Sequence, residues 1–165
     1  MDVPVAIQIP LFLKVMSFDR QLHPRAGSEL VVAIAYQSGN RSSLLAEDAA
    51  VQSLSVTRGT VDGLTVRPML IDLDRERLAV ALAREHVTML YVAPLRAFDI
   101  GTVVAAARAA HVTTATGVTR YIALGLALSV RRQGDRPRLL INLPAARLEG
   151  AEFAAELLKL AEVIQ

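Results

Sequence analysis

The segment ELVVAIAYQSGNRSS, residues 29–43, joins the two patterns that decide the fold. Its first eight residues form a nearly continuous apolar run, which is typical of a central strand covered on both faces. The SGNRSS that follows carries residues that begin helices, with Asn40 or Ser42 as the N-cap. A buried strand that leads directly into a helix predicts a βαβ unit, and therefore a parallel sheet.

The same alternation of strand and helix runs through the first two thirds of the chain. Apolar runs predict further strands at 63–73, 86–94 and 112–116, and periodic patterns predict helices at 4–18, 74–86 and 99–111. Pro68 places the strand at 63–73 at a sheet edge, because proline has no N–H to donate. Asp74 and Asp99 are predicted to begin the helices that follow them.

The end of the chain differs, because two strands there surround a tight turn. Residues 125–143 predict a β-hairpin with Gly134 in its turn. Five apolar residues beyond it fall on one stripe of an amphipathic helix: Phe153, Leu157, Leu160, Ala161 and Ile164. We therefore expect one domain over residues 1–165. It is a three-layer α/β/α domain with a mixed, mostly parallel sheet of five or six strands and a C-terminal β-hairpin plus helix.

Composition excludes several classes of function. The chain has no cysteine among its 165 residues, which excludes disulfides, thiol catalysis and thiolate metal sites. Its net charge is +2, and its arginines are scattered and form no basic tract, so nucleic-acid binding is not expected. No apolar run reaches the length of a membrane-spanning helix.

The best candidate for a ligand site is the loop and helix start that follow the first strand. Free N–H groups, hydroxyls and a guanidinium there could bind an anion at the carboxyl edge of the sheet. The residues are Ser38, Asn40, Arg41, Ser42 and Ser43. Simple helix capping explains the same residues, and the loop lacks the glycine spacing of nucleotide-binding motifs.

Two acidic residues and three histidines raise the question of metal binding. Asp72 and Asp74 could hold a divalent cation with a nucleotide, or Asp74 could cap its helix while Asp72 faces solvent. His23, His86 and His111 are far apart in the sequence and predict no metal site. Because no nucleophile stands in a recognisable catalytic motif, we expect neither enzymatic activity nor a cofactor.

The predicted hairpin carries a cluster of arginines around its turn. Arg131, Arg132 and Arg136 could contact an acidic surface of a partner protein, and a solvated hairpin tip is the simpler interpretation.

Several short motifs together resemble the YfiR-like family of bacterial periplasmic proteins. They are FLKVMSFDR at 12–20, YQSGNRSS at 36–43, TGVTRYIALGLALSV at 116–130, and INL with the helix carrying LLKLA at 141–161. The resemblance covers nearly the whole chain. Known members carry disulfide-forming cysteines and a Phe-x-Trp pattern at the end of the first helix. This chain has neither, so the resemblance implies a cysteine-free branch marked by SFDR.

The resemblance implies a regulatory function. The best-known members are exported dimers that repress a membrane-bound diguanylate cyclase by binding its periplasmic sensor region, which lowers cyclic diguanylate and biofilm formation. It therefore implies a non-enzymatic periplasmic signalling regulator and homodimer, with its leader already removed from this chain. The alternative is a small-ligand-binding or anion-binding domain for transport or sensing. A cytoplasmic location is the alternative to export, because no leader precedes the first helix.

Overall fold

A computed structural model describes residues 1–57 and 59–165 and contains one sheet between two layers of helices. Within these residues the sheet has eight strands: β1 Glu29–Tyr36, β2 Thr60–Val61, β3 Leu64–Asp72, β4 Met89–Val92, β5 Thr113–Thr116, β6 Leu128–Gln133, β7 Arg136–Asn142 and β8 Glu162–Ile164. The three-layer α/β prediction is confirmed, but five or six strands was too few. Strands as short as β2 and β8 leave no pattern in a single sequence.

The helices divide between the two faces of the sheet. They are α1 Val5–Met16, α2 Leu22–Ala26, α3 Arg41–Val56, α4 Leu78–Arg84, α5 Ile100–Ala110, α6 Arg120–Ala123, α7 Leu143–Leu148 and α8 Ala155–Leu160. Residues of α1, α3, α7 and α8 share one hydrophobic core, and residues of α4, α5 and α6 share the other. None of the helices in the described residues combines the length and hydrophobicity needed to cross a membrane.

The strands follow the order β2-β3-β1-β4-β5-β6-β7-β8. β3, β1, β4, β5 and β6 run parallel to one another. β2 pairs antiparallel with β3, β7 pairs antiparallel with β6, and β8 runs parallel to β7. Alternate residues of β1 enter opposite cores, Leu30, Val32 and Ile34 on one face and Val31, Ala33 and Ala35 on the other. The apolar run of β1 is thus covered on both faces, as predicted.

Pro68 lies in a part of β3 that has a strand on one side only. β2 pairs with Leu64 and Thr65, and no strand of the described residues pairs with the outer side of 66–72. Leu73 donates its N–H to the Tyr36 carbonyl at 2.8 Å. Successive backbone nitrogens of a strand point alternately to its two sides. The Leu73 nitrogen points towards β1, so the nitrogen of Pro68, five residues earlier, points away from β1. The proline therefore removes no hydrogen bond from the β1–β3 ladder.

The predicted single helix at the C-terminal end is wrong. α7 ends near Gly150, whose φ of +91° turns the chain, and Phe153 then forms an isolated bridge with Asp19. α8 follows as a short helix, and the chain ends in β8. Leu160 is 69% exposed, and Ile164 pairs as a strand residue. Backbone pairing with β7 replaces the last helical turns, so only part of the predicted stripe packs on the sheet.

Candidate functional site

The candidate site lies where the chain leaves β1 and β4 at the carboxyl edge of the sheet. From β1 the chain continues into α3 on one face, and from β4 into α5 on the other, so the two loops diverge. In open α/β sheets, ligands bind at such a switch point. A cavity of about 270 Å³ opens there, lined by Gln37, Gly39, Asn40, Asp74, Arg96 and Ala97. We call these residues the switch-point cavity.

A larger cavity, of about 510 Å³, lies at the opposite edge of the sheet beside the start of β1. Its principal charged side chain, Arg67, already bonds Glu29 at 3.0 Å and Glu85 at 2.7 Å. Its charges therefore satisfy one another, and its greater volume does not make it the better candidate.

The Gln37 side chain ties together the two loops that form the switch-point cavity. Its Nε2 donates to the Arg96 carbonyl at 3.0 Å, and the Arg96 N–H donates to Gln37 Oε1 at 2.7 Å. Asn40 Nδ2 adds a weaker contact with the Pro94 carbonyl at 3.4 Å. These bonds hold the crevice between β1 and β4 closed at its base.

Asp72 and Asp74 bind backbone N–H groups of the loop after β1. Asp72 Oδ1 accepts from the Ser38 N–H at 3.1 Å, and Asp74 Oδ2 accepts from the Gly39 N–H at 2.7 Å. Burial raises the pKa of Asp72, but the hydrogen bonds from Ser38 and Asp74 and the Arg75 charge outweigh burial and lower it overall. The predictions that Asp74 caps a helix and that Asp72 faces solvent are wrong, since α4 begins only at Leu78 and both carboxylates hold a loop.

The five predicted ligand residues lie together at this edge, but most of them hold the loop itself. The Ser38 N–H is used by Asp72, and the buried Ser43 Oγ accepts from the Gln37 N–H at 2.9 Å. Asn40 occupies the N-cap position without capping, and its Oδ1 accepts from Ser42 Oγ at 3.0 Å. Arg41 is exposed at the helix start. Binding of an anion by this set stays a prediction.

The three predicted partner-facing arginines do not share one surface. The register of β6 and β7 places Arg131 and Arg136 on one face of the hairpin and Arg132 on the other. Arg131 Nη2 bonds Glu162 Oε2 at 2.5 Å, whereas Arg132 and Arg136 are exposed. Arg131 therefore serves to attach β8, and contact of Arg132 and Arg136 with a partner stays a prediction.

The three histidines each make a different contact. His23 Nε2 pairs with Asp62 at 2.9 Å, His86 contacts the Arg25 carbonyl, and His111 ends α5 with a φ of +54°. Within the described residues no three His, Asp or Glu side chains converge as a metal ion would require.

Sequence reasoning missed a buried polar cluster at the amino edge of the sheet, formed by Asp19, Arg25 and Glu149. The Asp19 side chain is fully buried and accepts from the Glu152 N–H at 2.8 Å and from Arg25 Nη2 at 2.5 Å. Phe18 and Ala154 also share a backbone hydrogen bond of 2.9 Å. The SFDR motif thus packs on residues 149–153, which lie within the 141–161 stretch, so two stretches that carry the family resemblance are in contact.

Glu149 completes this amino-edge cluster. It is fully buried, and its two carboxyl oxygens accept from the Thr114 N–H at 2.8 Å and the Thr114 hydroxyl at 2.7 Å. Burial raises its pKa to about 7, although Thr114, Arg108 and Arg25 oppose the rise. A glutamate next to a glycine at a helix end is normally exposed to solvent, so the sequence does not indicate that Glu149 is buried.

These features define an open α/β domain. Hydrogen bonds bridge the crevice at its switch point, and a buried polar cluster lies at the opposite edge of the sheet. The family model described as YfiR/HmsC-like matches residues 37–162, and the chain belongs to this family. SFDR precedes the matched range, so its assignment to a cysteine-free branch stays a prediction. A search of curated proteins finds no match.

Three solved structures share the fold. The ABC domain in complex with L-Trp from Streptococcus pneumonia is 17% identical with a TM-score of 0.67, over 98% of this chain and 60% of that one. A conserved domain protein from Vibrio cholerae is 14% identical with a TM-score of 0.67, over 99% and 61%. CD0873, a substrate binding protein from Clostridium difficile, is 13% identical with a TM-score of 0.55, over 88% and 57%. The chain spans about three fifths of each, and at these identities the likeness concerns the fold alone.

Proposed function

We propose that the protein is a non-enzymatic periplasmic regulator that represses an inner-membrane diguanylate cyclase by binding its periplasmic sensor region. Membership of the YfiR/HmsC-like family over residues 37–162 is the observation that carries this proposal. Repression requires only that the protein bind the inactive form of the enzyme more tightly. A hundredfold difference in affinity shifts the balance by about 2.7 kcal/mol.

The geometry of the carboxyl edge supports a protein partner over a small ligand. Gln37 and Arg96 tie the base of the crevice, and Asp72 and Asp74 already occupy the amides of Ser38 and Gly39. An anion entering there would meet carboxylates in the positions where it needs donors. Contact with a partner surface does not require that this crevice open.

The exposed end of the β6–β7 hairpin supplies a charged contact surface. Arg132 and Arg136 project on opposite faces of the tip. Neither side chain forms an ion pair within the described residues. The exposed Asp135 lies in the same turn, so the two arginines leave the tip with a net positive charge. Such a charge chiefly steers association with an acidic partner and sets its salt dependence. We therefore propose that the sensor region contacts this tip.

Self-association is part of the same proposal, because known members of the family pair. α1 leaves Ile7 47% exposed, and the same helix lies beside an apolar groove that Pro10 and Val56 help to line. A second copy would cover such apolar area, as stable homodimer interfaces do. Sedimentation at micromolar concentration should give twice the mass of one chain, and a single-chain mass would contradict the dimer.

Deletion of the gene tests the repression. The deletion strain should contain more cyclic diguanylate and attach better to surfaces, and a second deletion of the partner cyclase should cancel both effects. Complementation with Arg132→Glu and Arg136→Glu together should fail to restore repression. Arg147→Glu is the matched control, since Arg147 is exposed on α7 away from the tip. Unchanged cyclic diguanylate in the deletion strain would exclude a cyclase as the target.

A second candidate function is binding of a small ligand, and the shared fold favours it. One similar structure is that of a domain in complex with L-Trp, and another is that of a substrate binding protein. In this chain the candidate site for such a ligand is the switch-point cavity of about 270 Å³. Calorimetry with single L-amino acids and with inorganic phosphate tests it. The weakened variant is Arg41→Ala, because Arg41 is exposed and directly follows the cavity residue Asn40. Saturable heat that Arg41→Ala reduces would favour this function over the regulatory one.

A further inference from the structure

Glu149 connects the end of the chain to the sheet at a place where a strand is missing. β6 pairs with β5 only at Ala115 and Thr116, so the Thr114 N–H has no strand partner on that side. The Glu149 carboxyl group accepts this N–H at 2.8 Å in place of a strand. The Thr114 hydroxyl, 2.7 Å from the same group, accepts in turn from the Ala127 N–H at 2.8 Å. One side chain thus attaches the C-terminal segment, residues 143–164, to β5 and to the approach of β6.

An ionised carboxylate at this position has no direct ion pair within the described residues. Arg25 approaches from α2, but its Nη1 bonds the backbone carbonyls of His111 and Glu149, and its Nη2 bonds Asp19 and Thr113. The other charged group that acts on Glu149 is Arg108 from α5, and the titratable ring of His111 lies close to the neighbouring Gly150. A buried charge without a partner is costly, so the site favours the neutral acid.

We propose that Glu149 is a pH-sensitive latch that holds the C-terminal segment against β5 when protonated and weakens that attachment when ionised. The contact of 2.7 Å between Glu149 Oε1 and Thr114 Oγ1 suits a proton donated from either oxygen. The neutral acid therefore keeps its hydrogen bond to the strand without the cost of a buried charge.

The sign of the effect follows from the direction of the shift. Burial raises the pKa of Glu149 from 4.5 to about 7 in the folded chain. The stabilising contribution is therefore complete below the pKa of the unfolded chain, falls as pH rises from there towards 7, and levels off above it. The equilibrium constant for local opening should rise about 50- to 100-fold between pH 5 and pH 8.

The segment that this latch holds carries the attachment of the hairpin. Glu162 of β8 bonds Arg131 at 2.5 Å, and β8 pairs with β7 from Leu140 to Asn142. Loosening of the segment would therefore reach the arginine-bearing hairpin. The latch itself can be tested without any partner, so its failure and that of the proposed function are distinguishable.

The first experiment is a carboxyl NMR titration of the full chain labelled with ¹³C-glutamate, the Glu149 signal being assigned by its absence in Glu149→Gln. The latch requires a midpoint near 7, and a midpoint near the ordinary value of 4.5 would overturn it. Arg108→Gln should move the midpoint upward, because the Arg108 charge lowers the pKa of Glu149. A midpoint unmoved by this change would also count against the mechanism.

The second experiment is hydrogen exchange of the Thr114 amide and of residues 143–164 from pH 5 to pH 8, corrected for intrinsic rates. The natural chain should lose protection by about 50- to 100-fold, whereas Glu149→Gln, which cannot ionise and keeps all three histidines, should change less than about threefold. Equal pH dependence in both chains would overturn the proposal. If Glu149→Gln does not fold, the exchange and titration of the natural chain still decide the outcome.

Discussion

The two edges of the sheet each hold acidic side chains, and the two sets behave in opposite ways. At the carboxyl edge, Asp72 and Asp74 bind backbone N–H groups near solvent, and the pKa of Asp72 is lowered. At the amino edge, Glu149 also accepts a backbone N–H, yet burial raises its pKa to about 7. Because the bonds are alike, burial decides the difference. The less buried pair attracts attention in the sequence, while the fully buried carboxylates of the amino edge hold distant segments together.

Removal of Asp19 should produce the largest loss of stability. It tests whether the buried polar cluster at the amino edge stabilises the fold. Asp19→Ala leaves the Arg25 guanidinium and the Glu152 N–H without their buried acceptor. We expect the free energy of unfolding to fall by about 3–5 kcal/mol in urea denaturation. The control is Arg20→Ala, which breaks an exposed pair with Glu152 and should cost about 1 kcal/mol or less. Similar losses in the two variants would contradict the distinction.

Gln37→Ala tests the tie across the switch-point cavity and should have an intermediate effect. It leaves both the N–H and the carbonyl of Arg96 without partners, so we expect a loss of about 1–3 kcal/mol. Hydrogen exchange should show faster opening of residues 93–99, with no change at β7. Unchanged protection of these residues would mean that the loop is held by other contacts.

The pH dependence of stability in Asp72→Asn tests the carboxyl-edge side of this comparison. Because its folded-state pKa is lowered, Asp72 contributes stability above its ordinary pKa of 3.8 and loses it as pH falls through the folded value. The asparagine variant should be about 1–2 kcal/mol less stable near neutral pH and equal to the natural chain in strong acid. Thermal melts between pH 2 and pH 7 would show this convergence, and parallel curves would contradict it.

Arg41→Ala should have the smallest effect on stability. The side chain is exposed at the start of α3, so the free energy of unfolding should change by about 0.5 kcal/mol or less in urea denaturation. A larger loss would show that Arg41 supports the loop, and any reduced ligand binding in that variant could then reflect the loop rather than a lost contact.

Much of the fold follows from local patterns. The apolar run of β1, the N-cap Asp99, which accepts the Gly101 N–H at 2.9 Å, and the turn at Gly134, with φ of +60°, are each located correctly from sequence. Each depends on residues close in the chain, because capping and turn geometry involve only near neighbours.

The sequence of the C-terminal end shows where such reasoning stops. Its apolar spacing is helical, yet Ile164 lies in β8 because three residues of β7 offer unpaired backbone groups there. Likewise Asp74 has the composition of a helix cap, but its carboxylate accepts the Gly39 N–H from a loop 35 positions away. Competing backbone donors from distant segments override a local preference of this size.

The sequence by itself determined the layers, the parallel centre of the sheet and the family, because these depend on hydrophobic periodicity and on short motifs that are read directly. Only the tertiary structure decided which polar groups matter. It brought Glu149 to Arg25, which lies 124 positions earlier in the chain and bonds Asp19. It also placed the carboxylates of Asp72 and Asp74 against the loop after β1, which the sequence predicts as an anion site. The reason is physical: the energy of a polar side chain depends on its burial and its partners, and both are set by chain segments remote in sequence.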